Sequence, residues 1–115
     1  MASVAEIAER DGRACVWCGR EPWERDLTVE HVLPRSRGGR TEPDNLLLAC
    51  RRCNRRRRSK ALGAWLRELE AAGHAPRLDL VTRALDRMAG SDRPAHRAYA
   101  ARQRRHLRGL LAPGR

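Results

Sequence analysis

Two pairs of cysteines carry the clearest chemical signal in the sequence. Cys15 and Cys18 form one Cys-x-x-Cys pair, and Cys50 and Cys53 form the other. Four thiolates in two such pairs are typical of a closed tetrahedral site for structural Zn²⁺. Buried free thiols are the alternative, although they rarely fall in this pattern. Because a site with four protein ligands has no open position, we expect the zinc to stabilise the fold and to take no part in chemistry.

The segment around the second pair carries side chains of a different kind. Glu30 and His31 are adjacent, Asn45 precedes the second cysteine pair, and Asn54 follows it directly. Hydrolysis of a phosphodiester bond needs an activated water, a cation on the scissile phosphate and neutralisation of nearby phosphates. A histidine near its ordinary pKa can take a proton at neutral pH. Oxygen ligands such as a carboxylate suit Mg²⁺ or Mn²⁺. By itself, Asn54 is equally typical of the first turn of a helix.

The charge of the chain indicates a polyanionic partner. The 115 residues carry a formal net charge of +11, and the basic residues are nearly all arginine. Such a field concentrates polyanions, so nucleic acid is the expected partner. A generally arginine-rich composition is the alternative, but it does not explain the dense run between residues 51 and 58. Phosphate contacts are predicted for the arginines of this run and of the loop before it: Arg35, Arg37, Arg40, Arg51, Arg52, Arg55, Arg56, Arg57 and Arg58.

The sequence contains no signal for secretion or for the membrane. The first ten residues lack an apolar leader, and no stretch is long and apolar enough to span a bilayer. In a reducing compartment, paired cysteines favour a metal over disulfides. We therefore expect a cytoplasmic protein without a membrane partner.

A short helix is predicted at residues 3–11. Ser3 can cap it, Glu6 stands three residues later as the capping-box partner, and Gly12 ends it. Its apolar face is expected to pack against the zinc-binding segment.

Two strands and a helix are predicted around the chemical residues. The β-prone stretch 27–33 predicts a strand that ends at Pro34, and the apolar run 46–50 predicts a second, buried strand. A helix should begin at residue 51, because nothing breaks the pattern before Gly63.

The C-terminal half is predicted to be helical. Apolar residues recur at helical spacing between residues 62 and 69 and again between 78 and 88, and a third helix should run from Pro94 to about residue 111. The tryptophans Trp17, Trp23 and Trp65 are expected to pack rather than to stack on bases. No role is assigned to the histidines without ligand spacing, His74, His96 and His106.

The spacing of these residues resembles that of the HNH endonuclease family. Five elements match in order: Cys15-x-x-Cys18, Glu30-His31-x-x-Pro34, Gly38-Gly39, Asp44-Asn45-Leu46 and Cys50-x-x-Cys53-Asn54. The resemblance covers about half of the chain, roughly residues 6–60. It implies a ββα-metal fold, in which two strands and a helix hold one divalent cation.

The resemblance also implies residue roles. His31 would be the general base that activates water, and Asn45 would order the loop and position His31. Glu30, where the family more often has aspartate, and Asn54 would be ligands of the catalytic cation. Arg57 stands where many members have lysine, which keeps the charge but changes its geometry.

The resulting prediction is an α+β protein with a zinc-stapled ββα-metal (HNH) core in residues 1–60. Residues 61–115 would form an α-helical, arginine-rich extension. The predicted activity is metal-dependent hydrolysis of DNA with weak sequence preference, using one Mg²⁺ or Mn²⁺, with Ni²⁺ and Zn²⁺ also open. Nicking of one strand is the expected outcome of a single site, and a homodimer or a larger nuclease complex stays open.

Two alternatives belong to other functional classes. In the first, the chain is a non-catalytic zinc-knuckle protein that binds DNA or RNA, and neither Glu30 nor His31 has a chemical role. In the second, the chain is an interaction subunit whose C-terminal helices dock onto a phage or restriction complex. Cleavage that depends on His31 would distinguish the nuclease from the first alternative.

Overall fold

The computed structural model describes residues 3–111, with side chains up to residue 109. Its two strands and five helices are β1 (Leu27–His31), β2 (Leu46–Cys50), α1 (Val4–Asp11), α2 (Arg51–Arg57), α3 (Leu62–Ala71), α4 (Leu78–Ala89) and α5 (Pro94–Leu111). Short 3-10 turns cover Glu24–Asp26, Arg35–Arg37 and Pro43–Asn45. The predicted α+β class is therefore confirmed.

The two strands form an antiparallel sheet that α2 covers. Glu30 pairs with Leu47 and His31 pairs with Leu46. Successive side chains of a strand point to opposite faces, and α2 begins at the residue after β2. The strand-strand-helix order of the predicted core is thus present, although β1 is two residues shorter than predicted.

Helix α1 closes the other face of the sheet. The Ser3 hydroxyl accepts a hydrogen bond from the Glu6 N–H at 3.2 Å, and Gly12 follows the helix with φ of 87°. Ile7 is buried together with Leu27, Leu46 and Leu48 in a small apolar cluster. The predicted cap and helix end are confirmed, whereas the apolar face packs on the sheet and not on the cysteine pairs, which belong to the other core cluster.

Helix α2 ends earlier than the sequence predicts. It stops at Arg57, and Arg58 has φ of 55°, a value rare for a residue with a side chain. The Arg57 guanidinium donates to the Lys60 carbonyl at 3.1 and 3.2 Å, which folds the chain back over the helix end. The helix from residue 51 therefore stops before Gly63, and the chain restarts as a helix at Leu62.

One main core joins both halves of the chain. Trp17, near the first cysteine pair, meets Trp65 of α3 edge to face, with ring centroids 6.2 Å apart. The core takes buried side chains from both sides of the predicted boundary between residues 60 and 61, including Val16, Val32, Leu47, Leu62, Leu69, Val81, Leu85, Met88, Tyr99 and Leu107. Helices α3 to α5 therefore pack directly on the ββα unit.

The three tryptophans differ in exposure. Trp17 and Trp65 are fully buried, as expected, whereas Trp23 is 77% exposed. The expectation that Trp23 packs in the core was wrong, because it stands on a surface turn beside α2. Among residues 3–111, no helix combines the length and the apolar character needed to cross a bilayer.

Candidate active site

The four cysteines lie together, as their spacing predicts. Their Sγ atoms are all within 4.8 Å of one another, and those of Cys18 and Cys50 are 4.0 Å apart. The segment of the first pair is tied to the second strand by the Val16 N–H, which donates to the Leu48 carbonyl at 2.9 Å. The start of α2 supplies Cys53, so a metal held here would join three segments of the chain.

The chemistry of this cluster fits a dication. Burial raises the pKa of Cys15 to about 11 and also raises the pKa of Cys53, where the neighbouring sulfurs add repulsion. Cys15 and Cys53 therefore resist ionisation unless a positive charge sits among the sulfurs, whereas at Cys50 burial is outweighed by hydrogen bonds from the other cysteines, which lower its pKa. Zn²⁺ supplies that charge and deprotonates its thiol ligands, so the donor set fits structural zinc.

His31 lies at the end of β1, half-buried at the edge of the domain. Its Nε2 is 2.8 Å from the Thr41 hydroxyl, which fixes the orientation of the ring. Burial lowers the pKa of His31, and the charges of Arg35 and Arg57 lower it further. The imidazole is therefore neutral at pH 7 and able to accept a proton.

Asn45 holds the loop that follows β1. Its Oδ1 accepts from the Leu33 N–H at 2.8 Å, and its Nδ2 donates to the carbonyls of Leu33 at 3.1 Å and Arg40 at 3.0 Å. Gly39 lies beside this network, where a Cβ would be 1.8 Å from the Leu33 oxygen. These contacts are those of a loop-ordering residue, and the loop carries Thr41 to His31.

Glu30 points away from His31, into the interior. It is 4% exposed, and its Oε2 accepts from the Trp17 Nε1–H at 2.7 Å. Arg57 is 3.6 Å from Oε1, a distance too long for a hydrogen bond but close enough for charge pairing. Burial raises the pKa of Glu30, while Arg57 and Trp17 act in the opposite direction.

Arg57 is a core residue and not a surface one. It is fully buried, and its guanidinium donates to the carbonyls of His31 at 2.8 Å and Val32 at 2.5 Å, as well as to Lys60. It also lies over the Trp17 ring at 5.6 Å. The phosphate contact predicted for Arg57 is therefore corrected: this guanidinium fixes the end of β1 from inside the fold.

Asn54 lies on the face of β1 that α2 covers, as Glu30 does. Its Nδ2 donates to the Thr28 hydroxyl at 2.9 Å and to the Val29 carbonyl at 3.1 Å. Within residues 3–111 its Oδ1 has no hydrogen-bond partner. A free amide oxygen and a carboxylate on one face are donors that fit a hard divalent cation, which would have to displace Arg57 from Glu30.

Comparison with known proteins places this arrangement in a family. A model of the HNH endonuclease family matches residues 15–70. This segment belongs to the HNH endonuclease family. The chain is similar in fold to the Type II-C Cas9 enzyme from Actinomyces naeslundii, with a TM-score of 0.52 and 22% sequence identity. The match covers 96% of this chain and 11% of that chain, and no curated protein matches the sequence.

The helices beyond the family match also hold the HNH site. His96 of α5 is fully buried, with Nδ1 2.9 Å from an Asp44 carboxylate oxygen and Nε2 accepting from the Arg40 N–H at 3.1 Å. His96 thus supports the loop that carries Thr41. Local spacing indicates no role for His96, since a contact across more than 50 residues leaves no trace in it.

His96, Asp44 and Glu42 place three potential ligand atoms close together. Both ring nitrogens of His96 already have partners, and Glu42 pairs with Arg93 at 2.7 Å. The group is therefore satisfied as an ion-paired support of the loop.

The remaining predicted arginines of the HNH domain lie at the surface, and six of them line two grooves. Arg35 and Arg40 line a groove of about 500 Å³ together with Thr41, beside His31. Arg51, Arg52, Arg55 and Arg56 line a second groove at the zinc end of the domain. Arg37 and Arg58 are exposed, and the Arg37 Nε donates to the Ser59 carbonyl at 2.6 Å.

Proposed function

We propose that this chain hydrolyses phosphodiester bonds of DNA, with His31 as the general base and one divalent cation as its cofactor. The observation that carries the proposal is the setting of His31. The imidazole is neutral at pH 7, is oriented by Thr41 and stands beside a groove lined by Arg35 and Arg40. The family match of residues 15–70 supports the same reaction class.

In this proposal each residue of the site has a separate task. A water molecule at the scissile phosphate loses its proton to the His31 ring as it attacks phosphorus. The P–O bond to the leaving strand end breaks, and its alkoxide takes a proton from solvent. Thr41 and Asn45 hold the ring and its loop in place through their hydrogen bonds. The guanidinium groups of Arg35 and Arg40 neutralise phosphates of the bound strand.

Glu30 and Asn54 are the proposed ligands of the cation, which is Mg²⁺ or Mn²⁺ by donor type. When bound, such a cation stabilises the charge that develops on the phosphate oxygens. Arg57 neutralises Glu30 in this structure, so binding of the cation would exchange one positive partner for another.

A plasmid-nicking assay tests the proposal. Protein stripped of loosely held metal is incubated with supercoiled plasmid and with Mg²⁺, Mn²⁺ or Ni²⁺. Because a general base contributes roughly 10²- to 10⁴-fold, His31→Ala should lower the nicking rate at least about 100-fold. His74→Ala is the matched control, since His74 lies on the far loop between α3 and α4.

The same assay can reject the proposal. A wild-type protein that binds DNA but cleaves with none of the cations would support the non-catalytic alternative. Equal cleavage by wild type and His31→Ala would remove His31 from the mechanism. Nicks without double-strand breaks are expected of one site per chain, and a double cut would indicate a dimer or a second event.

A further inference from the structure

Trp23 is exposed on a surface turn that fixes its backbone. The residue follows Pro22 and precedes the 3-10 turn Glu24–Asp26, and the Asp26 N–H donates to the Trp23 carbonyl at 2.8 Å. The side chain is nevertheless 77% exposed. Burying an aromatic ring is favourable, so a ring held outside the core on a fixed turn offers a surface for another molecule.

The ring borders a basic groove of about 830 Å³ at the zinc end of the domain. Its lining holds five arginines and two carboxylates, and Cys18 and Cys50 of the cysteine cluster also line it. Arg20, Arg52 and Arg55 are exposed, and their side chains have no hydrogen bond or ion pair within residues 3–111. Their charges are therefore available to an anionic partner.

This groove is separate from the surface beside His31. It includes Asp26, at the start of β1, and His31 ends the same strand. The four residue steps from Leu27 to His31 span about 13 Å. Along β1, His31 and the nearest edge of the Trp23 groove are therefore separated by the length of a few nucleotides.

We infer that the Trp23 groove binds an unpaired nucleotide of the DNA substrate, with the base stacked on Trp23 and its phosphates on Arg52 and Arg55. Every base has a face that can stack on an aromatic ring, and free arginines follow the backbone. A paired base is already stacked within a duplex, so the site favours single-stranded or distorted DNA. The inference rests on the proposed function and adds a preferred form of its substrate.

Tryptophan fluorescence provides a direct test. Trp17 and Trp65 are fully buried, so the emission that acrylamide can quench comes from Trp23. Wild-type protein without added divalent cation is titrated with an eight-nucleotide oligo(dT). Two further probes are an abasic oligomer of equal length and a blunt hairpin duplex. Binding of oligo(dT) to the Trp23→Ala variant is monitored by anisotropy.

Binding of oligo(dT) should protect Trp23 from acrylamide, and the abasic oligomer and the duplex should bind more weakly. Loss of one base-stacking contact should raise the Kd for oligo(dT) about tenfold or more in Trp23→Ala. Trp23→Phe should recover most of the affinity. Arg25→Ala, which removes a charge on the same turn outside the groove lining, should change the Kd less than about twofold, a small effect for a single exposed charge.

Two results would overturn the inference: equal affinity of wild type and Trp23→Ala for oligo(dT), or equal affinity of wild type for oligo(dT) and the abasic oligomer. Plasmid nicking, measured in parallel, separates this failure from that of the proposed function. Nicking without any effect of Trp23 on binding would overturn the stacking site alone. Stacking at Trp23 without nicking would overturn the nuclease alone.

Discussion

Glu30 and His31 are adjacent in β1 but have opposite environments, and this difference decides which of the two side chains is accessible. His31 faces the domain edge, whereas Glu30 faces a buried tryptophan and a buried arginine. The alternation follows from regular strand pairing at both positions. It leaves His31 partly exposed while Glu30 is sheltered on the side of α2.

Removing the Glu30 carboxylate should destabilise the fold. Glu30→Ala leaves the Trp17 Nε1–H without an acceptor and Arg57 as a buried charge without its partner. Breaking a buried pair from one side costs roughly 3–5 kcal/mol. Glu30→Gln retains an oxygen for Trp17 and should cost less. The free energy of unfolding by urea measures both.

Glu24→Ala is the matched control, since Glu24 is exposed and its carboxylate forms a long ion pair with Arg13 at 3.8 Å. Its stability should equal that of wild type within error. If Glu30→Ala were as stable as Glu24→Ala, the buried ion pair would not contribute to the fold. In that case the carboxylate would be free for a cation at little cost.

At the scale of elements, helices α2 and α3 begin without a conventional N-terminal cap and depend on other groups. The Cys50 sulfur accepts from the Cys53 N–H at the start of α2. Helix α3 follows Ala61, which offers no side-chain cap, and the N–H groups of Leu62 and Gly63 are instead satisfied by Tyr99 and Gln103 of α5. Unpaired N–H groups at a buried helix start are costly, so α5 is needed for α3 to begin where it does.

Zinc should determine the stability of the segment that carries Asn54. We expect one tightly held zinc per chain, and Cys50→Ser should lower the Tm by more than about 10 °C, because a structural zinc contributes its binding free energy to folding. Thermal unfolding followed by circular dichroism, with metal analysis of the same samples, measures this.

A strong chelator should lower the Tm of wild type in the same way, and added Zn²⁺ should restore it. Cys50→Ser should respond to neither. An unchanged Tm after the metal has been removed would show that the four thiols pack without a metal.

At the scale of the whole molecule, the hydrophobic core extends beyond the residues that the family model matches. The family model stops at residue 70, but α4 and α5 cover the same core and support the loop of the active site. The fold similarity to the Cas9 enzyme also extends over 96% of this chain. The C-terminal helices are therefore structural parts of the domain.

A chain that ends at residue 60 should fail to fold cooperatively. It would lose Leu62, Trp65 and Leu69 and expose the buried face of Trp17 and Leu47. Burial of a large apolar side chain contributes about 1.5–3 kcal/mol, so the loss of these contacts is comparable with the 5–15 kcal/mol by which small domains are stable. Thermal unfolding in the presence of Zn²⁺ should show no cooperative transition.

A cooperative transition in the truncated chain would mean that the ββα unit with zinc is self-sufficient. Docking by the C-terminal helices is better tested with exposed side chains of α5 than by truncation, because truncation would remove the core as well.

The sequence alone determined the parts of the protein that depend on local pattern or on close spacing. The cysteine pairs, the strand 46–50, the cap at Ser3 and the apolar stripes of α3 and α4 all follow from neighbours within one or two turns. These are features for which covalent connection brings the interacting groups together, so the order of residues suffices to predict them.

Only the tertiary structure decided which polar residues are sheltered and which are available. It buried Arg57 within an arginine run, left Trp23 exposed and brought His96 to Asp44. The contacts of His96, Tyr99 and Gln103 join positions 37 to 56 residues apart. Such contacts depend on how helices cross and on which face each presents to the core, and no local pattern encodes that geometry.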